Sequence, residues 1–460
     1  MDWITNDSQQ PSILVLHGSA GAGKSALEQT IAQRCQQEGR LASSFFLSRT
    51  AVNARRSDGN AVIPTLVYQH IQVFPWLKER VLEEIRMDPG IFERSREVQL
   101  DRLLVKHFQA LPVLSNDTRH RLISIDGLDE CDDRHVQQDL LRIIAATLTR
   151  LRHPFRFFIA CRPESHLMQV INGDPLFQNN RIYCIDLGGD TQVDADIRLF
   201  LCNRFRKIRE THPVRRFLPQ PWPGESVINK LVVNASGQFI YADTVMRFLE
   251  SLSHSPEDQL DIILAIAPPR ENENPFAQLD ALYTHIFSLV KDRDTVWRVL
   301  GVIYLAAQDR IFEITKMDHA AIAYPAFLER LFKCRRGTVH LALGELPSVI
   351  SIVSDNTPIK VLHASLFDFL LDPTRSGAYT LDLALAHESL AMWRYRDINF
   401  QGNGLPIAFW FQLLSYFDLR LGSTFRTGMA EIHSLRVATQ PAVSAALPIC
   451  PTIGNARSRS

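Results

Sequence analysis

The densest chemical pattern in this 460-residue chain is Gly18-Ser19-Ala20-Gly21-Ala22-Gly23-Lys24-Ser25. It matches G-x-x-x-x-G-K-S/T at every position and lies between an apolar run, Ile13 to His17, and a helical pattern, Ala26 to Gln37. Glycines let the backbone curl until successive amides point inward as an anion nest, and a helix starting there adds the positive end of its dipole. Gly18, Ser19, Gly21, Ala22 and Gly23 are therefore candidates to cradle phosphates. Lys24 would bridge the β- and γ-phosphates, and the Ser25 hydroxyl would ligate Mg²⁺. A second pattern, Leu122 to Cys131, is an apolar strand ending in acids. Asp126 is the candidate to hold the Mg²⁺ water shell. Asp129 and Glu130 lie just past the strand end, where one could orient or deprotonate an attacking water, or either could cap a helix. Asp132 and Asp133 are read as caps. A third pattern, Cys161-Arg162-Pro163-Glu164, closes the apolar run Phe155 to Ala160. Its guanidinium, one strand over from Asp126, could sense a γ-phosphate; an ordinary surface ion pair is the alternative.

These groups converge only if the first part of the chain forms a parallel sheet. Ile13 to His17, Ala42 to Leu47, Arg121 to Ile125, Phe155 to Cys161 and Arg181 to Leu187 are short apolar runs separated by helical spacing. Such runs predict strands buried on both faces, hence an α/β parallel sheet. Residues 60–112 read as a mostly helical insertion punctuated by Pro64, Pro75 and Pro89. From Asp194 the spacing is helical over Ile197 to Phe205, Val227 to Val233, Ile240 to Leu252, Phe276 to Leu289, Val296 to Ala307 and Ala326 to Cys334. Thr338 to Val361 then holds a hairpin-like element turning at Ser354 to Thr357, and helix followed by small hairpin is a winged-helix signature. The expected architecture is α/β. A P-loop NTPase parallel sheet occupies 1–190, an α-helical domain 191–290, a winged-helix-like domain 291–390, and an irregular, partly disordered tail 391–460.

Composition narrows the function classes. Lysine plus arginine and aspartate plus glutamate number 50 each, so no whole-chain field draws in nucleic acid, which is not an expected partner. Hydrophobic residues at 46% and charged residues at 22% place the chain among folded globular proteins. Seven scattered cysteines without a CxxC pair read as reduced, intracellular thiols. The N-terminus lacks a signal-peptide pattern, and the apolar stretch 406–417 is shorter than the ~20 residues that span a bilayer. A soluble cytoplasmic protein without a membrane span is expected.

The trio GSAGAGKS, LISIDGLDEC and FFIACRPE resembles the NACHT branch of the STAND class of P-loop NTPases, closest to a large fungal set with a nephrocystin-3-like NACHT module. Gly127, a small residue directly after Asp126 with Asp129 two positions on, is the diagnostic detail. The resemblance continues through SFFLSR (44–49), VIPTLVYQ (62–69), ASGQFIYADTVMRFL (235–249), PFAQLDALYTHI (275–286) and VLHASLFDFLLDPTRSG (361–377), covering about residues 2 to 390. It implies a nucleotide-controlled switch similar to NLR immune receptors. ADP would clamp the NTPase against the winged helix, and ATP would free surfaces for homo-oligomerisation, with slow hydrolysis. It also implies that His363 touches a nucleotide phosphate; the alternative is a hydrogen-bonded core histidine. GTP stays open as the nucleotide, although no Asn-Lys-x-Asp motif is present. The competing function is a non-hydrolysing, nucleotide-bound interaction module, or a remnant of a larger receptor. Gly237-Gln238-Phe239 stands where the family carries Gly-x-Pro near the adenine, which puts that contact in question. Past Met392 the family's helical continuation and ligand-reading repeats do not follow, which reads as truncation, with a stripped-down paralogue as the alternative.

Overall fold

The computed structural model describes residues 2–5, 11–50, 56–110, 121–151, 155–177, 182–187, 192–252, 254–266, 276–307 and 319–400. Two compact units divide the chain, Met1–Ala386 and His387–Ser460. Everything that follows concerns the first, except for the end of the last helix.

Five parallel strands form the sheet: β1 (Ile13–His17), β2 (Leu41–Phe46), β3 (Arg121–Asp126), β4 (Phe155–Cys161) and β5 (Ile182–Asp186), in the order β2-β3-β4-β1-β5. All five fall within a residue or so of the apolar runs that predict them. In β3 and β4 every residue is buried, because helices cover both faces; β5, at the edge, is half open. The register pairs His17 with Cys161 and Ile125 with Ile159. The chain therefore leaves β1, β3 and β4 at one edge of the sheet, and Gly18, Asp126 and Arg162 meet there. Ligands bind at this carboxyl edge in open parallel sheets.

The helices are α1 (Lys24–Gln37), α2 (Val62–Val73), α3 (Leu77–Met87), α4 (Arg134–Arg150) and α5 (Ser165–Gly173) around the sheet. Beyond it lie α6 (Val193–Thr211), α7 (Glu225–Ala235), α8 (Phe239–Leu249), α9 (Pro256–Ala265) and α10 (Ala277–Ser288). Next come α11 (Arg293–Ala307), α12 (Pro325–Phe332), α13 (Thr338–Leu343), α14 (Ser365–Leu370) and α15 (Leu383–Phe400). An antiparallel pair, β6 (Ile350–Ser351) with β7 (Lys360–Val361), is the small hairpin expected after the helices.

Four details depart from the sequence reading. Pro64 sits in the first turn of α2 instead of ending a helix, a position where the missing N–H has no intrahelical partner to lose. The α9 helix was not foreseen; its Ser255-Pro256 start and acidic first turn (Glu257, Asp258) are ordinary helix-entry signals. The segment from Thr338 begins as helix α13, so the hairpin is shorter than the alternation suggested. The last helix runs on to Phe400, past the boundary drawn at 390, so 391–400 is helical. The rest of the tail, 401–460, lies outside the described residues.

Two motifs quoted for the family resemblance turn out to bind each other. Asp280 of α10 accepts two hydrogen bonds from Arg375 (3.0 and 2.7 Å), and Tyr283 Oη lies 2.9 Å from Ser365 Oγ of α14. Both contacts are largely buried, where a forked charge pair is geometrically specific. They tie α10 to the segment after the hairpin.

Candidate functional site

The Gly18–Gly23 loop leaves β1 and enters α1 at Lys24. Gly21 (φ +78°) and Gly23 (φ +89°) take the left-handed backbone that side chains resist. At Gly21 there is also no room, since a Cβ would lie 2.1 Å from Ile240 Cγ2. The first turn of α1 has no side-chain cap, which leaves its N–H groups for another acceptor. Lys24 Nζ folds back over the loop and donates to Gly18 O (2.8 Å) and Ser19 O (2.9 Å). Burial pulls its pKa down, and the charge of Asp129 works against that fall.

Asp126 ends β3 beside the loop, 4% exposed. Its carboxyl accepts from the Ser25 hydroxyl, while Oδ1 is buried with no hydrogen-bond donor. Burial raises its pKa; Ser25 and Lys24 oppose the rise. Among the described residues no three His, Cys, Asp or Glu side chains form a metal cage. Mg²⁺ takes one or two carboxylates and otherwise water and phosphate. The orphaned Asp126 Oδ1 and the neighbouring Ser25 hydroxyl are the groups that would hold it.

Glu28, one turn into α1, escaped the sequence reading. It is fully buried, accepts from Ser124 Oγ at 2.6 Å, and contacts Asp126. Burial and the Asp126 charge push its carboxyl well above the usual carboxylate range. Position 28 lies four residues after Lys24, on the same helical face, but only the packing of α1 on β3 makes that placement meaningful.

Gly127 (φ +68°) turns the chain after Asp126, and a Cβ there would meet Leu47 O at 2.8 Å. Both the conformation and the backbone contact exclude a side chain. Gly127→Ala is expected to cost about 2 kcal/mol or more of stability, read as a lowered denaturant midpoint at unchanged m-value.

The structure separates the two acids that the sequence left open. Asp129 is held on both oxygens by one residue: Oδ1 accepts from Arg162 N (2.9 Å) and Oδ2 lies 3.2 Å from Arg162 Nε. Glu130 Oε2 accepts from Arg49 N (2.9 Å), and the Arg49 guanidinium donates to Asp129 O. Burial raises the Glu130 pKa to about 7, the Asp129 charge adds to the rise, and the Arg49 N–H moderates it. Asp133 caps α4 by accepting from His135 N (2.8 Å), as the pattern predicts. Asp132 accepts from Ser57 Oγ (2.8 Å) and ties down the chain that follows β2.

Arg162 closes β4 and reaches out of the sheet body. Besides Asp129 it bonds Asp368 of α14, Nη1 to Oδ2 at 2.8 Å. Burial opposes its charge, but Asp368 and Asp129 outweigh that and hold the guanidinium protonated. Nearby, His363 Nδ1 accepts from Ser365 N (3.1 Å), which assigns the proton of the neutral ring to Nε2. Burial, helped by Arg162, lowers the His363 pKa to about 4, and the charge of Lys24 is also felt there. His363 is thus a hydrogen-bonded, half-buried imidazole that feels the charges of Arg162 and Lys24.

The Gln238–Ile240 segment, where proline was expected, still docks on the loop. Ile240 N donates to Gly21 O (3.1 Å), and the Phe239 ring lies against Gly23. These are backbone and apolar contacts to the loop itself.

A glycine-rich loop after β1, a lysine and hydroxyl at the helix start, and an acid at the end of β3, with β4 between the two strands, define a site of the P-loop NTPase type. Residues 1–162 match the family model described as nephrocystin 3, N-terminal. No curated protein matches the chain. Among solved structures, the Aeropyrum pernix ORC1 protein, determined in complex with DNA, aligns at 16% identity with a TM-score of 0.34, over 83% of this chain and 87% of its own. Cdc6p from Pyrobaculum aerophilum aligns at 12% identity and TM-score 0.33, over 85% of this chain and 91% of its own. Among the described residues no helix is long and apolar enough to cross a membrane.

Proposed function

We propose that the protein is a cytoplasmic, nucleotide-controlled switch of the NACHT/STAND type that holds ATP or ADP on the Gly18–Ser25 loop and hydrolyses ATP slowly. The observation that carries this reading is the Arg162 junction. One guanidinium at the phosphate-facing edge is bound at once to Asp129, on the sheet side, and to Asp368, in the winged-helix-like segment. A γ-phosphate and Asp368 are rival anions for it, so ATP and ADP differ in their contact with the closed arrangement. Lys24 would turn from the Gly18 and Ser19 carbonyls to the phosphates, and His363 would offer its Nε2 proton to a phosphate oxygen. Ser25 and Asp126 would hold Mg²⁺, which when bound neutralises phosphate charge. Loss of the Asp368 contact would free the segment from α11 to α14 for homo-oligomerisation and NLR-like signalling. The proposed divisions are a core over 1–190, helices over 191–290 and the winged-helix-like part over 291–390. The test is binding and turnover with ATP, ADP and GTP in Mg²⁺; failure of all three to bind the folded protein would end the reading.

Glu130 is assigned as the base that takes a proton from the attacking water, because its raised pKa is matched to neutral pH. The active form is the carboxylate. Turnover should therefore rise about tenfold per pH unit below about 7 and level off above it. Glu130→Gln should lower phosphate release at least about a hundredfold with binding intact. The non-hydrolysing reading has its own support, since Asp129 and Glu130 both already accept from protein N–H groups. Nucleotide binding by the wild type with phosphate release no faster than the uncatalysed rate would establish it.

A further inference from the structure

The end of α6 and the turn after it are strongly basic. Residues 204–217 contain Arg204, Arg206, Lys207, Arg209, Arg215 and Arg216 against a single acid, Glu210, in a chain of net charge zero. Arg204 is spent on α8, bonding Glu250 (2.7 Å) and Asp243 (3.2 Å), and Arg198 is likewise paired with Glu225. The other five cations are exposed, and none makes an ion pair among the described residues. Cations in a last helical turn complement the helix dipole, which accounts for Arg209. It does not account for Arg215 and Arg216, which lie beyond the helix.

Directly after them comes Phe217, 84% exposed in a short 3₁₀ turn. The turn is rigidly held. Leu218 and Trp222 on its far side are buried, and the Trp222 ring meets Phe205 of α6 edge-on at 5.3 Å. Phe217 is thus displayed on a fixed support. Between α6 and this turn lies a recess of about 280 Å³ lined by Arg206, Arg209, Glu210, Pro219, Gln220, Pro221 and Trp222. Arg206 and Arg209, one turn apart on the helix, both face it.

We propose that this face docks the protein on an anionic phospholipid surface, with Phe217 entering the headgroup boundary and the five cations meeting lipid phosphates. A basic cluster around an exposed apolar side chain fits that partner, because each cation near an acidic leaflet gains about 1 kcal/mol and the aromatic ring gains by leaving water. A soluble acidic peptide would engage the cations but leave Phe217 in water. A single nucleic-acid strand would reward a row of aromatic rings, and here one ring is displayed. The face is remote in chemistry from the phosphate loop: it shares no residue with it, so the two can be tested apart.

The experiment is sedimentation of the full chain with vesicles of phosphatidylcholine alone and of equal parts phosphatidylcholine and phosphatidylserine. Binding is expected to the mixed vesicles only and to fall as salt rises. Replacing Arg209, Arg215 and Arg216 together by glutamine should weaken it by roughly fivefold per charge removed, the equivalent of about 1 kcal/mol each. Phe217→Ser should weaken it with no change in charge. Phe217→Ser should keep the wild-type unfolding midpoint, since that side chain is exposed, and the triple variant should fold with a slightly lower midpoint, having lost the Arg209 charge at the helix end and the Arg215 bond to His212 O. No binding to the mixed vesicles, or binding indifferent to the arginine or Phe217 variants, overturns the proposal. So does release from the vesicles by single-stranded RNA at lower concentration than by soluble polyglutamate, which would make the face a nucleic-acid site.

Discussion

Lys24→Ala is expected to weaken nucleotide binding about a hundredfold while the fold survives. Hydrogen bonds between a charged donor and phosphate oxygens contribute roughly 1.5–3 kcal/mol, and the upper end corresponds to that factor. Among the described residues the ammonium donates to Gly18 O and Ser19 O, and its burial disfavours the charge. Removing it therefore costs the fold little, on the order of 1 kcal/mol. Thermal unfolding reads both quantities at once. A ligand at about a hundred times its Kd stabilises the native state by about 2.7 kcal/mol; a hundredfold rise in Kd cuts this to about 0.4 kcal/mol. The ligand-induced midpoint shift should collapse while the ligand-free midpoint stays close to wild type. A shift preserved in Lys24→Ala would show the nucleotide to be elsewhere.

How much of this was legible beforehand depends on the range of the interaction that decides each element. The strands were readable because burial on both faces makes each a continuous apolar run, so Phe155–Cys161 announces itself without reference to a neighbour. The loop was readable for the same local reason, with Gly18 to Ser25 consecutive and flanked by strand and helix. Glu28 sits just outside the motif and becomes notable only when α1 lies on β3 and brings it to Ser124 and Asp126. The partition between Asp129 and Glu130 needed the third dimension altogether. Two acids adjacent in sequence point to opposite partners, Arg162 and Arg49, whose strands lie on either side of β3. The docking of Ile240 N on the Gly21 carbonyl was likewise beyond the sequence, because it joins residues 219 positions apart through backbone atoms alone. Of the tail at 401–460, outside the described residues, the fold says nothing.

Asp368→Asn tests the switch where it is least readable from sequence, across 206 residues. In the ligand-free protein Arg162 is shared between Asp129 and Asp368, so a γ-phosphate gains the guanidinium only by displacing Asp368. That displacement lowers the apparent affinity for ATP by the share of molecules still closed, and not that for ADP, which offers no third phosphate. Asparagine keeps the shape and removes the charge. Both partners are less than a third exposed, so the pair is screened only in part; a charge-assisted bond of this kind contributes about 1.5 kcal/mol at the lower end. ATP affinity should accordingly rise about tenfold, ADP affinity should change little, and the ligand-free protein should unfold at a lower midpoint. Isothermal titration with each nucleotide, on wild type and Asp368→Asn, measures the two affinities directly. Equal changes for ATP and ADP would make the Arg162–Asp368 pair a structural staple like Asp280–Arg375. A selective gain for ATP would mean that the closed arrangement is held by the very cation the third phosphate needs, so opening and recognition are one exchange of anions.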